Sequence, residues 1–172
     1  MKRMLWVFLI LLLSGCASGP SLQEMKAADP PKDDNLIVPG WRVGKVYLGM
    51  TSRELVASMG EPSSTKPGET LTHFFWKNAE LGASLNKKAD RVDSIMFEDE
   101  RYKTAEGIRV GLSELSVVAK LGQPQASGDG YHCYKSGIML RFREPSRGIP
   151  YQVTFGEVKP REAWRARVEP CS

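Results

Sequence analysis

The sequence predicts an α+β fold of two tandem modules, each a short helix packed on a three-stranded antiparallel sheet. Three observations predict it. Landmarks recur at a fixed offset. Each copy opens with a helix-capping signature followed by apolar residues at helical spacing. Each copy then runs through three short apolar segments separated by turn residues. Val46-Tyr47-Leu48-Gly49-Met50-Thr51 is echoed by Ile108-Arg109-Val110-Gly111-Leu112-Ser113, and Met59-Gly60-Glu61-Pro62 by Leu121-Gly122-Gln123-Pro124, all at an offset of 62. Trp76-Lys77 and Ile95-Met96-Phe97 match Tyr134-Lys135 and Val153-Thr154-Phe155 at an offset of 58. Two units of about 60 residues are too long and too few for a solenoid, which leaves a duplicated module.

Before the repeat, residues 1–15 read as a secretory signal. Lys2 and Arg3 precede an apolar run from Leu5 to Leu13, and a basic end, a short apolar core and small residues make such a signal. The run is too short to span a bilayer, which takes about 20 apolar residues. The tail Leu13-Ser14-Gly15-Cys16 resembles the bacterial lipobox. That resemblance implies cleavage before Cys16, a diacylglycerol thioether on its sulfur and an acylated new amino terminus. Several acyl chains on one residue hold firmly where a single chain is marginal. Ala17, rather than Asp, follows the cysteine, and the sorting rule of such proteins then implies the outer membrane. Residues 16–40, with Gly19-Pro20, Pro30-Pro31 and Pro39-Gly40, read as the lipidated end and a linker that lifts the body from the membrane.

The first module is expected over 41–100. Thr51 and Glu54 form a capping box, Leu55, Val56 and Met59 form the apolar stripe, and Gly60 with Pro62 ends the helix. Such a short helix is unstable alone and needs an apolar surface beneath it. Three strands supply one: Leu71 to Trp76, Leu81 to Leu85 and Val92 to Phe97. The second module, over 101–158, repeats this with Ser113 as cap, Val117, Val118 and Leu121 as stripe, and Gly122 with Pro124 as stop. Ser116 stands where Glu54 stood, so its box is incomplete. Its strands are Tyr131 to Tyr134, Ile138 to Phe142 and Tyr151 to Phe155, and residues 159–172 form a tail. Whether the two sheets join is open at this point.

The formal charge is +4 and falls once Lys2 and Arg3 are removed, so nothing points to nucleic acid. Cys133 and Cys171 remain after Cys16 is lipidated, an even number in an oxidising compartment. A bridge between them closes a loop of about 38 residues, contributing roughly 3–4 kcal/mol; the alternative is two free thiols. His73 and His132 lack any ligand-spaced companions, so no metal is expected. His132 beside Cys133 is not a base and nucleophile, because adjacent strand residues face opposite ways. Glu98-Asp99-Glu100 reads as a solvated junction rather than an acid–base pair. No nucleophile elbow or phosphate loop appears, so neither catalysis nor a cofactor is expected. Phe74, Trp76 and Tyr134 are types enriched at protein interfaces and are the candidate partner-binding residues. The basic tail with Trp164 is read as a capping helix ahead of a membrane-surface segment.

The pattern Leu48-Gly49-Met50-Thr51, Val56, Met59-Gly60-Glu61-Pro62, repeated through Gly122-Gln123-Pro124 and Tyr134-Lys135-Ser136-Gly137-Ile138, resembles the BamE-like (SmpA/OmlA) lipoproteins. The fold group also holds the β-lactamase inhibitor protein, a tandem of such modules. The resemblance covers about residues 42–158 and implies a protein partner in the barrel-assembly machinery. The expected function is therefore a lipid-anchored, periplasm-facing, protein-binding module in envelope assembly or maintenance. The alternative is an inhibitor or sensor of a periplasmic enzyme or cell-wall fragment.

Overall fold

The computed structural model describes residues 23–25, 32–143 and 152–160. The chain enters through three short strands, β1 (Leu36–Val38), β2 (Arg42–Val43) and β3 (Val46–Tyr47). Helix α1 (Ser52–Met59) follows, then β4 (Ser64–Pro67), β5 (Leu71–Trp76), β6 (Leu81–Asn86) and β7 (Arg91–Phe97), with a 3-10 turn at Lys77–Ala79. After β8 (Lys103–Thr104) the pattern returns as α2 (Glu114–Leu121), β9 (Ala126–Gly128), β10 (Tyr131–Tyr134), β11 (Ile138–Arg143) and β12 (Gln152–Val158).

The helices form for the expected local reasons. Thr51 caps α1 by accepting from the Glu54 amide, while the Glu54 carboxylate accepts from the Thr51 amide at 2.8 Å. Ser113 caps α2 by accepting from Ser116, without a returning carboxylate. Gly60 and Gly122 end the helices at φ of 76° and 77°, where a side chain would be strained. Leu55 and Val117 are the fully buried residues of their helices.

The expected pair of three-stranded modules is overturned. The molecule is mostly β, with one eight-stranded sheet ordered β4-β5-β6-β7-β12-β11-β10-β9 and a four-stranded sheet ordered β3-β2-β1-β8. Each half of the large sheet has four strands, because β4 and β9 precede the strands read from the sequence. The halves fuse where β7 pairs antiparallel with β12, Phe97 opposite Gly156 and Met96 opposite Glu157. Both are the last strands of their halves, and an isolated half would leave each with a row of unpaired backbone groups. Pairing them removes both edges. Gly156 permits it, since a Cβ there would lie 2.0 Å from the Phe97 ring. A single core cluster runs through both halves, from Leu55 and Ile95 to Val117 and Val158.

The small sheet also corrects the expected linker. Within residues 16–40, Leu36–Val38 is already a strand, and β1 runs parallel to β8 in the junction between the halves. Ile37 and Trp41 of this N-terminal arm are buried. The arm also reaches the second half, where Gly40 packs so tightly on Gly137 that a Cβ at Gly137 would lie 2.6 Å from the Gly40 Cα.

Candidate functional site

The candidate partner-binding residues do not form an exposed patch. Trp76 and Tyr134 are 5% and 4% exposed and belong to the core. Phe74 is half-buried, packed on that core and edge-on to Trp76 with ring centroids 6.1 Å apart. Their burial follows from the pleat. Thr72, Phe74 and Trp76 alternate with the opposite face of β5, and the helix-bearing face is the one that buries them.

The two buried aromatics at equivalent positions have different polar fates. The Trp76 indole N–H donates to the Gly60 carbonyl at 3.0 Å. The Tyr134 hydroxyl is buried and, among the described residues, without a hydrogen-bond partner. Burial first, and the Glu114 carboxylate second, push its pKa up to about 12. His132 takes the place that Phe74 has in the first half. Its ring lies 4.7 Å from that of Phe142, and its Nε2 is 3.5 Å from the Glu114 carboxylate. His73 lies on the opposite face, its Nδ1 2.9 Å from the Ser84 hydroxyl. The histidines thus belong to different halves and faces. Among the described residues no three His, Cys, Asp or Glu side chains come together as a metal-holding group.

Cys133 is 5% exposed and disulfide-bonded; Cys171, its expected partner, lies outside the described residues, as does Cys16. On the face away from the helices Cys133 belongs to a register row that crosses the sheet through Phe75, Gly82, Met96, Glu157 and Met139 and ends at Ala126. Two of the three junction carboxylates are paired structurally, Asp99 with Arg101 and Glu100 with Arg109.

An ion pair in the arm escaped the sequence reading. Arg42 is fully buried, and both its terminal nitrogens donate to the Asp34 carboxylate at 2.9 and 3.0 Å. A further bond runs from Arg42 to the Gly44 carbonyl at 2.7 Å. The guanidinium, helped by the Leu36 amide, lowers the Asp34 pKa from 3.8 to about 2 against the opposing effect of burial. The sequence signal was Leu36-Ile37-Val38 with Trp41, an apolar cluster too dense for a spacer.

Two clefts sit at equivalent places beside the helix C-termini. Met59, Glu61, Ser63, Trp76 and Asn78 line the first, of about 330 Å³. Leu121, Gln123, Gln125, Tyr134 and Ser136 line the second, of about 470 Å³. These are the same positions of the repeat, at the offsets of 62 and 58. The first is also walled by the arm, through Asp33, Asn35 and Val43 to Lys45.

No family model matches the chain, and no curated protein matches it. Solved structures share its fold. An extracellular protein containing a SCP domain from Bacillus anthracis str. Ames aligns with a TM-score of 0.53 at 13% identity, over 73% of this chain and 47% of that one. A cysteine-rich secretory protein from Staphylococcus aureus aligns with a TM-score of 0.53 at 13% identity, over 84% of this chain and 54% of that one. The Escherichia coli protein yfeY aligns over 75% of this chain and 96% of its own at 11% identity, with a TM-score of 0.44. The chain spans about half the length of the SCP-domain and secretory proteins. At these identities the likeness to the SCP-domain and secretory proteins is one of fold. The BamE-like resemblance is overturned, since neither a family model nor a curated relative supports it and these neighbours are of another kind. Gly49 to Thr51 and Met59 to Pro62, which carried it, are a turn, a cap and a helix stop, and such residues recur wherever a short helix meets a sheet.

Proposed function

We propose that this chain is a lipid-anchored, non-enzymatic module of the bacterial envelope that binds another protein. The observation that carries the anchoring is Leu13-Ser14-Gly15-Cys16 behind a short apolar run. Ala17 directs the anchored form to the outer membrane, facing the periplasm. The disulfide at Cys133 agrees with an oxidising compartment, and we assign Cys171 as its partner. The solved structures that share its fold include an extracellular protein and a secretory one, which points the same way. Binding is supported by two clefts, the first walled by Lys45, Glu61, Arg101 and Trp76 among others and the second by Gln123, Gln125, Tyr134 and Lys135 among others. With the family resemblance overturned, the barrel-assembly machinery has no special claim as the partner.

The test is crosslinked affinity purification from intact cells, with Cys16→Ser as the untethered control. One envelope protein recovered with the lipidated form and lost with the control supports the reading. Recovery of a soluble periplasmic enzyme or cell-wall fragments favours the inhibitor or sensor alternative. A Cys16→Ser chain that still incorporates a labelled fatty acid overturns the anchor.

A further inference from the structure

The face of the large sheet turned away from the helices is buried unequally in its two halves. In the first half Phe75 pairs with Gly82 and Gly82 with Met96. In the second, Cys133 pairs with Met139 and Met139 with Glu157 at the equivalent places. Phe75 and Met96 are only half-buried, whereas Cys133, Met139 and Glu157 are 5%, 4% and 8% exposed. Met96 and Glu157 are side chains of similar length, so size does not explain the difference. The apolar residues described against Cys133 and Met139 are Ala126, Tyr131 and Phe155, all from strands of the same sheet. Neighbours within a sheet flank one another and leave the outward side open. Lys159 pairs with the Glu157 carboxylate at 3.2 Å, but Met139 and Cys133 lie one and two strands further on.

We propose that residues 161–172 form the missing layer: the tail lies extended over this face of the second half, latched by a bridge between Cys171 and Cys133, with Trp164 against Met139. Three observations choose this occupant. The disulfide at Cys133 brings a second cysteine to this face, and the sequence offers only Cys16 and Cys171. Cys16 is the lipid attachment in the reading above, which leaves Cys171. Reach also suffices. The described chain leaves β12 through Lys159 and Pro160, and only β11 separates β12 from β10, about 10 Å in all. Residues 161–171 extended would span about 35 Å. Finally, Trp164, Ala166 and Val168 alternate with Arg165, Arg167 and Glu169. In an extended segment that alternation puts the apolar side chains on one side and the charges on the other, which suits a strip laid on an apolar face with water above it.

The experiment uses the full chain purified from membranes. Peptide mapping without reduction is expected to recover Cys133 joined to Cys171; an unbridged Cys133 overturns the latch, and Cys133 joined to Cys16 overturns it together with the anchor. Brief exposure to hydrogen peroxide, read by mass spectrometry, then compares methionines. Met139 is expected to oxidise at least about tenfold more slowly than Met96 in the wild type, and to gain about fivefold in a variant carrying Trp164→Ala and Cys171→Ala while Met96 is unchanged. Protection of Met139 that survives both substitutions overturns the proposal, because another segment then covers the face. Met50, 4% exposed in the core, reports unfolding. If it too becomes reactive, Trp164→Ala alone decides, with the bridge intact: a gain of about threefold at Met139 only is expected, and no gain overturns the proposal. The protein-binding reading is judged separately, by the purification from cells, and stands or falls without the tail.

Discussion

Arg42 is a cation with no solvent around it, held by the Asp34 carboxylate and the Gly44 carbonyl. Removing one partner of such a pair leaves a buried charge uncompensated. Asp34→Ala is therefore expected to cost about 2–3 kcal/mol, read from urea denaturation. The folded state depresses the Asp34 pKa from 3.8 to about 2. The stability it contributes is thus present above the ordinary value and lost as pH falls towards 2. Stability measured across that window should decline in the wild type and be flatter in Asp34→Asn. Tyr134 is the opposite case. Its hydroxyl is buried without a partner among the described residues, so Tyr134→Phe removes a desolvated group and no bond. A melting temperature equal to or above wild type is expected; a clear drop would expose an interaction that the described residues lack. Neither effect was legible in the sequence, where Asp34 looked like linker and Tyr134 like an interface residue. Burial decides both, and burial is set by residues far away in the chain.

Elements were far more legible. Thr51 with Glu54, and Gly60 with Pro62, specify where α1 starts and stops through contacts that reach only three or four residues. Their repeat at Ser113 and Gly122 did the same for α2. Thr51→Ala should cost about 1 kcal/mol by chemical denaturation, because it removes the hydroxyl that accepts from the Glu54 amide and donates to the Glu54 carboxylate. Ser113→Ala should cost less, since no carboxylate returns the bond there. The strands at Leu71–Trp76 and Tyr131–Tyr134 lie where alternation and flanking turn residues placed them. The strands that were missed, β1, β2, β3, β4, β8 and β9, are two to four residues long. Of these, β4 and β9 carry Pro, Ser, Lys or Gly, and β1 sits in a proline-rich stretch. They form because a neighbour offers an edge, which local pattern does not reveal.

At the scale of the molecule, one position controls how the halves meet. Gly156 lets Phe97 lie flat across β12 at the seam. Gly156→Ala should destabilise by about 2–3 kcal/mol through overpacking. Because the core is continuous across that seam, the loss should lower one cooperative transition rather than detach one half. Coincident unfolding by far-ultraviolet circular dichroism and tryptophan fluorescence checks this. Two separated transitions would show the halves to be independent. The sequence by itself determined the duplication, the helix ends and six of the strands, because each is decided by residues within a turn or a hairpin of one another. Only the tertiary structure decided that the halves share one sheet, that the N-terminal arm is part of the body, and that the expected interface aromatics are core. Those outcomes depend on pairings between segments about 60 residues apart, and what selects them is the need to satisfy two strand edges and cover one apolar face at once.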